Sequence, residues 1–258
     1  MEVMEVKDDS LAKAVYFLSA TESRSKLYRL LQYGSKFTKW TLIQLWDLDT
    51  SDSTLIHTKP SENESTQKLL SNELKKQVAA DWKRRAITSL GRAELVFGDA
   101  RRFFRFLQFL EMADIYRHVR EPLRAVRVLR RLRIVCFFFF YLTENYVVLC
   151  TRVLGVSSRE PLMRRLRRGC NGFWLLSILL ALPLDHMMHR GTMLSTAKKL
   201  LELPVAFVGL SGLRVSEGLF SALGLVSAQI GVYSRWVDVM TKFQKQHLMR
   251  LAATPDVI

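Results

Sequence analysis

Seventeen residues, RHVREPLRAVRVLRRLR (Arg117 to Arg133), carry seven arginines and run without interruption into IVCFFFFYLTENYVVLC (Ile134 to Cys150), whose one charge is Glu144. Arg120, Arg124, Arg127 and Arg131 recur at three- and four-residue spacing, which puts them in one stripe on a helix. A solvated helix face would account for the stripe alone. Its position directly before an apolar run points further, because juxtamembrane arginines attract anionic leaflet lipids at roughly 1 kcal/mol per charge. A fold for this chain must therefore give one continuous helix both anionic and apolar surroundings.

The 258 residues are enough for one large domain or two, and they carry a formal net charge of +15 with 49% hydrophobic residues. The charge calls for an anionic partner: nucleic acid, anionic lipid or an acidic protein. The phenylalanines do not suit nucleic acid, since they fall on helical apolar faces and in an unbroken FFFF run rather than being splayed for stacking on bases. Anionic membrane lipids are the expected partner. Cys136, Cys150 and Cys170 are an odd set without CxxC spacing and read as reduced thiols. The opening MEVMEVKDDS lacks the basic and apolar regions of a secretory signal, and TPDVI is not an SKL-type address, so internal segments are expected to carry the chain to its membrane.

The pattern along the chain is helical. Residues 1–48 form an N-terminal amphipathic region. Within TESRSKLYRLLQYGSKFTKW, Leu27, Leu30, Leu31, Gly34, Phe37 and Thr41 share one face, with Arg29, Gln32, Lys36 and Lys39 opposite. Residues 49–67 are a polar linker rich in Ser, Thr and Glu, with Pro60. Residues 68–133 are amphipathic and arginine-rich helices, with pattern running from near Leu69 to about Tyr116. Their densest part, RAELVFGDARRFFRFLQFLEMAD, lines up Val96, Ala100, Phe103, Phe104, Leu107 and Leu110 against Arg101, Arg105, Gln108 and Met112. That pattern fits a helix lying in a bilayer interface or one packed in a bundle.

Residues 134–236 form a hydrophobic membrane region, and 237–258 a short C-terminal tail. Ile134 to Cys150 is a short candidate span. Phe173 to Leu184, with Pro183, reads as a buried or interfacial segment behind the basic flank MRRLRRG. The run from Gly218 to Ser234 is uncharged, and its pairs Gly218/Ala222, Gly224/Ala228 and Ser227/Gly231 are each four apart. Small residues at that spacing let helices approach closely in lipid, so this segment is expected to span and to pack through Gly218, Ala222, Gly224, Ala228 and Gly231.

No enzyme is expected. There is no GxSxG, HExxH or glycine-lysine phosphate loop, and the Asp185, His186 and His189 cluster reads as a polar turn rather than a metal site. No cofactor is called for. A channel would be favoured if Glu144, Arg214 and Glu217 faced a water-filled path, because charge at membrane depth is costly. These three are instead expected at the interface.

Several stretches, in order, resemble one family. Thr21, Arg24, Lys26, Arg29, Gln32, Tyr33, Gly34 and Ser35 match the T-x-x-R-x-K-x-x-R-x-x-Q-Y-G-S signature of the peroxin-11 family of peroxisomal membrane proteins. SLGRAELVFGDARRFFRFLQFLE is similar to that family's second amphipathic helix, NGFWLLSILLAL to its N-x-F-W-x-L-S segment, and VSEGLFSALGLVSAQIGVY to its C-terminal span. The polar insertion and the arginine-rich centre depart from the pattern. The resemblance implies an all-α integral membrane protein, amphipathic helices first and hydrophobic helices after. It would be multi-pass in the peroxisomal or glycosomal membrane, with cytosolic termini. The implied function is elongation and tubulation of the organelle before fission, with self-association and recruitment of the fission machinery; the alternative is a small-solute channel. On this reading Val96, Phe103, Phe104, Leu107 and Leu110 insert into the leaflet. Arg101, Arg102, Arg105, Arg124, Arg127 and Arg131 meet headgroups.

Overall fold

The computed structural model describes residues 10–46, 65–188 and 192–253. The regular structure of these residues is all helical, as expected. The helices are α1 (Ser10–Ser19), α2 (Thr21–Trp46), α3 (Ser65–Phe104), α4 (Gln108–Arg117), α5 (Arg124–Val148), α6 (Pro161–Met187), α7 (Met193–Ser211) and α8 (Glu217–Ala253). A π-helical turn, Leu149–Val153, prolongs α5.

The helices close into a ring. α2 packs between α3 and α8, α8 on α7, α7 on α6, and α6 on α5. The ring closes where α5 meets α4 and, more lightly, α3. α1 folds back over the α2/α8 seam, where Phe17 lies 5.2 Å from the Trp236 ring and Tyr16 5.1 Å from that of Phe243.

The small residues of α8 explain its tight seam with α2. Gly218, Ser221, Gly224, Ser227, Ala228 and Gly231 are buried on one face. A Cβ at Gly218 would land in the indole of Trp40, and one at Gly224 in the ring of Tyr33. Antiparallel α2 thus lays its large rings into notches cut by glycine, while Ala222, also expected at a helix contact, is only half-buried. Ser221 and Ser227 are fully buried, and their hydroxyls donate to Glu217 O and Gly224 O at 2.6 and 3.0 Å. That removes two polar groups from an otherwise apolar face.

The span expected at Gly218 to Ser234 is not among the helices with the length and hydropathy to cross a membrane. Among the described residues two qualify: α5 with its π turn, over Arg124–Val153, and α6, over Pro161–Met187. At 1.5 Å per residue both exceed the roughly 30 Å hydrocarbon core. The apolar run Phe173 to Leu184 is only the later part of α6, which starts with Pro161 at its first turn and passes through Pro183. α7 was not anticipated. It is capped by Thr192, whose hydroxyl accepts the Ser195 N–H at 3.2 Å, and closed by Gly212 at φ +73°. The tail assigned to 237–258 is mostly helix, since α8 continues to Ala253.

The outward surface is apolar. Phe139, Leu142 and Tyr146 on α5, Leu149 on the π turn, Leu176 and Leu179 on α6, Leu200 and Phe207 on α7, and Leu219, Val226 and Tyr233 on α8 are all exposed. A water-soluble bundle puts such residues inside. Here they form a belt around the ring.

Gly224→Ala should therefore lower the melting temperature of the detergent-solubilised chain by an amount equivalent to about 1–3 kcal/mol, the usual cost of overpacking. Adding Tyr33→Ala should restore part of the loss, which thermal melts of the single and double variants would measure.

Candidate functional site

Inside the belt, the ring encloses a cavity of about 820 Å³ lined by α2, α3, α4, α5, the π turn, α6 and α7. Along α5 its lining runs from Arg133 to Arg152, about 30 Å at helical rise. Ten lysines and arginines line it (Lys26, Arg29, Arg101, Arg102, Arg105, Arg133, Arg152, Arg167, Lys198 and Lys199) against four carboxylates (Glu22, Glu111, Glu144 and Glu202). Tyr33, Phe137, Phe140, Tyr141 and Trp174 supply its aromatic walls.

Lys26 and Arg29 of the N-terminal motif face this interior. Arg29 on α2 pairs with Glu202 on α7 and donates through Nη2 to Ser227 Oγ on α8 at 3.0 Å. Only 11% of its side chain is exposed. Its guanidinium also lies 5.8 Å from the rings of Tyr33 and Trp174. Gln32 accepts from Arg101 Nη1 at 2.6 Å, and Arg24 covers the Phe104 ring. Thr21 accepts weakly from Arg24, at 3.4 Å, while Gly34 meets Leu225 of α8. Gly98 gives Gln32 its room, since a Cβ there would sit 2.8 Å from Gln32 Nε2. Ser35 is half-buried on α2.

The arginines expected at lipid headgroups divide into two groups. Arg101 and Arg105 turn inward. Arg105 Nη2 donates to Glu144 at 2.6 Å, which draws its guanidinium to the one acid of the α5 span. Glu144 thus lines the cavity, with 12% of its side chain exposed. Arg214 is exposed ahead of α8 and Glu217 is exposed at its first residue. Arg102 stays half-exposed and pairs with Asp99 at 2.9 Å, and Asp99 also takes Arg152 at 2.5 Å. Arg124 and Arg131 are exposed at the start of α5, where Arg131 covers the Tyr116 ring and Arg127 donates to Glu121 O. Basic residues at a helix N-terminus oppose its dipole, so this end of α5 calls for external anions.

The apolar stretch Val96 to Leu110 is not one straight helix. α3 ends at Phe104, Leu107 adopts φ +63°, and α4 starts at Gln108. The left-handed region costs a leucine about 1–2 kcal/mol. The bend leaves Val96 62%, Phe103 75%, Leu107 48% and Leu110 56% exposed on the outer surface. Phe104 is the exception among the residues expected to insert. It points inward and stacks on Tyr28 at 5.5 Å and 8° between planes.

Glu202, Lys198, Lys199 and Asn171 were missed by sequence reasoning. Three belong to the unanticipated α7. Asn171 sits inside the expected N-x-F-W-x-L-S segment, packed into the space left by Gly209. The polar turn expected at Asp185 and His186 is instead the last turn of α6; Asp185 pairs with Lys199, His186 is exposed and His189 lies outside the described residues. No group of three metal-binding side chains occurs among the described residues.

Burial raises the cost of charge in the cavity. Lys26 is held down to about 8 from 10.5, first by burial and then by the ammonium of Lys198. Arg101 is pushed down to about 9 by burial, then by Arg105 and Arg29, and still carries its charge at neutral pH.

A helical ring with an apolar exterior, a basic interior and two helices able to cross a bilayer defines a membrane-associated helical protein. The family model for Peroxisomal biogenesis factor 11 (PEX11) matches residues 66–186, which run from α3 through α6. These residues, a little under half of the chain, are PEX11-family sequence. The family is one of peroxisome biogenesis factors, associated with the peroxisomal membrane. The N-terminal signature and the α8 segment lie outside the matched residues, yet they interlock as the α2/α8 seam. No curated protein and no solved structure matches the chain.

Because Lys26 titrates near 8 when folded and near 10.5 when unfolded, the unfolded chain binds the extra proton between those values. Stability should rise as pH increases from about 8 to about 10.5. Lys26→Met should show a smaller rise and a higher melting temperature at pH 7, read from thermal melts across that range.

Proposed function

We propose that this chain remodels the peroxisomal or glycosomal membrane, elongating and tubulating the organelle before fission, without enzymatic chemistry. The observation that carries the reading is the exposed apolar knuckle at the α3/α4 bend. Phe103, Leu107 and Leu110, with Val96 about two turns before Phe103, project outward, and Phe106 (43% exposed) adds to them. Inserted between headgroups, such a knuckle expands the cytosolic leaflet and favours curvature. The exposed arginines Arg124 and Arg131 at the start of α5 suit anionic lipid. If α5 and α6 are the two spans, the chain returns to the side from which it enters, which suits cytosolic termini. Self-association would then use outward α8 residues such as Leu219, Val226 and Tyr233, because its small-residue face is occupied by α2. Recruitment of fission machinery belongs to the same reading.

The test is electron microscopy of anionic liposomes carrying the full chain. Wild type should draw vesicles into tubules. Phe103→Asp with Leu110→Asp should abolish tubules while leaving the melting temperature within about 1 °C, because surface substitutions have small effects on stability. Phe104→Ala should lower the melting temperature instead. Tubules that persist in the double variant would remove the knuckle from the mechanism.

One observation favours a second reading, a small-solute channel: Glu144, at membrane depth, lines a polar cavity that extends about 30 Å along α5. In planar bilayers a channel would give discrete conductance steps, and Glu144→Gln should shift its ion preference toward anions. Absence of steps from protein that still tubulates liposomes would reject it.

A further inference from the structure

The charges in the cavity do not balance, and the imbalance is local. Of its four carboxylates, Glu144 is committed to Arg105, Glu202 to Arg29, and Glu22 to Arg235 at 3.1 Å with Lys26 at 4.0 Å. Among the described residues, no carboxylate lies within ion-pair distance of Arg101, Arg133 or Lys198. Arg101 has only the neutral amide oxygen of Gln32 for its guanidinium. The Nε atoms of Arg29, Arg101 and Arg133 are buried without a hydrogen-bond partner. Unpartnered buried donors of this kind are rare because desolvation is not repaid.

The bases also converge. Lys26 on α2 and Lys198 on α7 both lie against Gly231, a Cβ there meeting Lys198 Nζ at 3.7 Å and Lys26 Cδ at 3.9 Å. Arg29 stands between this lysine pair and Arg101, interacting electrostatically with both groups. Like charges drawn from α2, α3 and α7 into one low-dielectric space repel unless an anion lies among them. The Trp174 and Tyr33 rings beside Arg29 give the rest of such a ligand an apolar surface. A volume of about 820 Å³ is that of a site for a small organic molecule, well beyond a single ion.

We propose that the cavity is a binding site for a phosphate group carrying two negative charges, held by Lys26, Lys198, Arg29 and Arg101. Guanidinium forks suit phosphate oxygens in pairs, and ammonium groups serve as point charges beside them. The phosphate belongs either to a soluble phosphorylated small molecule or to an anionic lipid whose headgroup enters the ring. The site uses the cavity of the channel reading but holds whether or not anything crosses it, and it shares no residue with the apolar knuckle.

The experiment uses the full chain in two arms. In neutral detergent, the melting temperature and Trp fluorescence are followed against pyrophosphate, with sodium chloride at matched ionic strength as control. In nanodiscs, the chain is compared in phosphatidylcholine with and without phosphatidic acid. The expected result is stabilisation by pyrophosphate beyond the chloride control, or by phosphatidic acid alone if the phosphate is a headgroup. Arg101→Gln and Lys198→Gln should each weaken the effect at least tenfold in midpoint concentration. Neither should melt below wild type without ligand, because each removes a cavity charge that has no carboxylate partner. Arg164→Gln with Arg165→Gln, both exposed at the start of α6, should leave it unchanged. Stabilisation in neither arm, or an effect equally strong in the Arg101 and Lys198 variants, would overturn the proposal.

Discussion

The ring depends on one guanidinium. Arg29 reaches from α2 to Glu202 on α7 and Ser227 on α8, tying three helices through a side chain only 11% exposed. A charge in that position is tolerable only with its partners in place, and removing one partner of a buried pair typically costs about 3–5 kcal/mol. Ser227 is available because it sits on the small-residue face of α8, which lets α2 come close enough for Arg29 to reach across. The glycine notches at Gly218 and Gly224 are thus a condition for the polar contact as well as for packing. Trp40 and Tyr33 set the spacing, and Arg29 uses it.

This geometry accounts for how much the sequence disclosed. The all-helical class and the amphipathic period of α2 were legible, because apolar and basic residues recur at helical spacing. The direction in which each stripe faces was not. In water the basic face of α2 would turn outward, and in a lipid interface its bases would meet headgroups. In the ring the order is reversed for Lys26, Arg29 and Arg101, which face a polar interior while the apolar residues of α5, α6, α7 and α8 face out. Periodicity reports that two faces differ, not which is inside.

The remaining mismatches have local causes. Continuous helix was expected through Leu107, and nothing in the FRFLQF pattern marks a break, since leucine in the left-handed region is held there by surroundings and not by propensity. α7 escaped notice because Pro204 and the mixed stretch TAKKLLELP obscured a helix that its cap, Thr192, announces. Glu202 came with it, and without Glu202 the inward course of Arg29 could not be anticipated. Tertiary partners far apart in sequence, 173 residues in this case, leave no local trace.

The bend at Leu107 and the basic cavity sit on opposite sides of the same short segment, which couples outside to inside. Phe103, exposed, and Phe104, stacked on Tyr28, are adjacent residues pointing in opposite senses. One turn on, Leu107 projects outward while Arg105 reaches in to Glu144. A force on the outer apolar knuckle would be transmitted through one or two residues to the Arg105–Glu144 pair and so to α5. The insertion proposed for the knuckle and the charge network inside the ring would therefore not be independent devices. The interior ion pair anchors the segment between Phe104 and Gln108 to α5, directly behind the exposed knuckle.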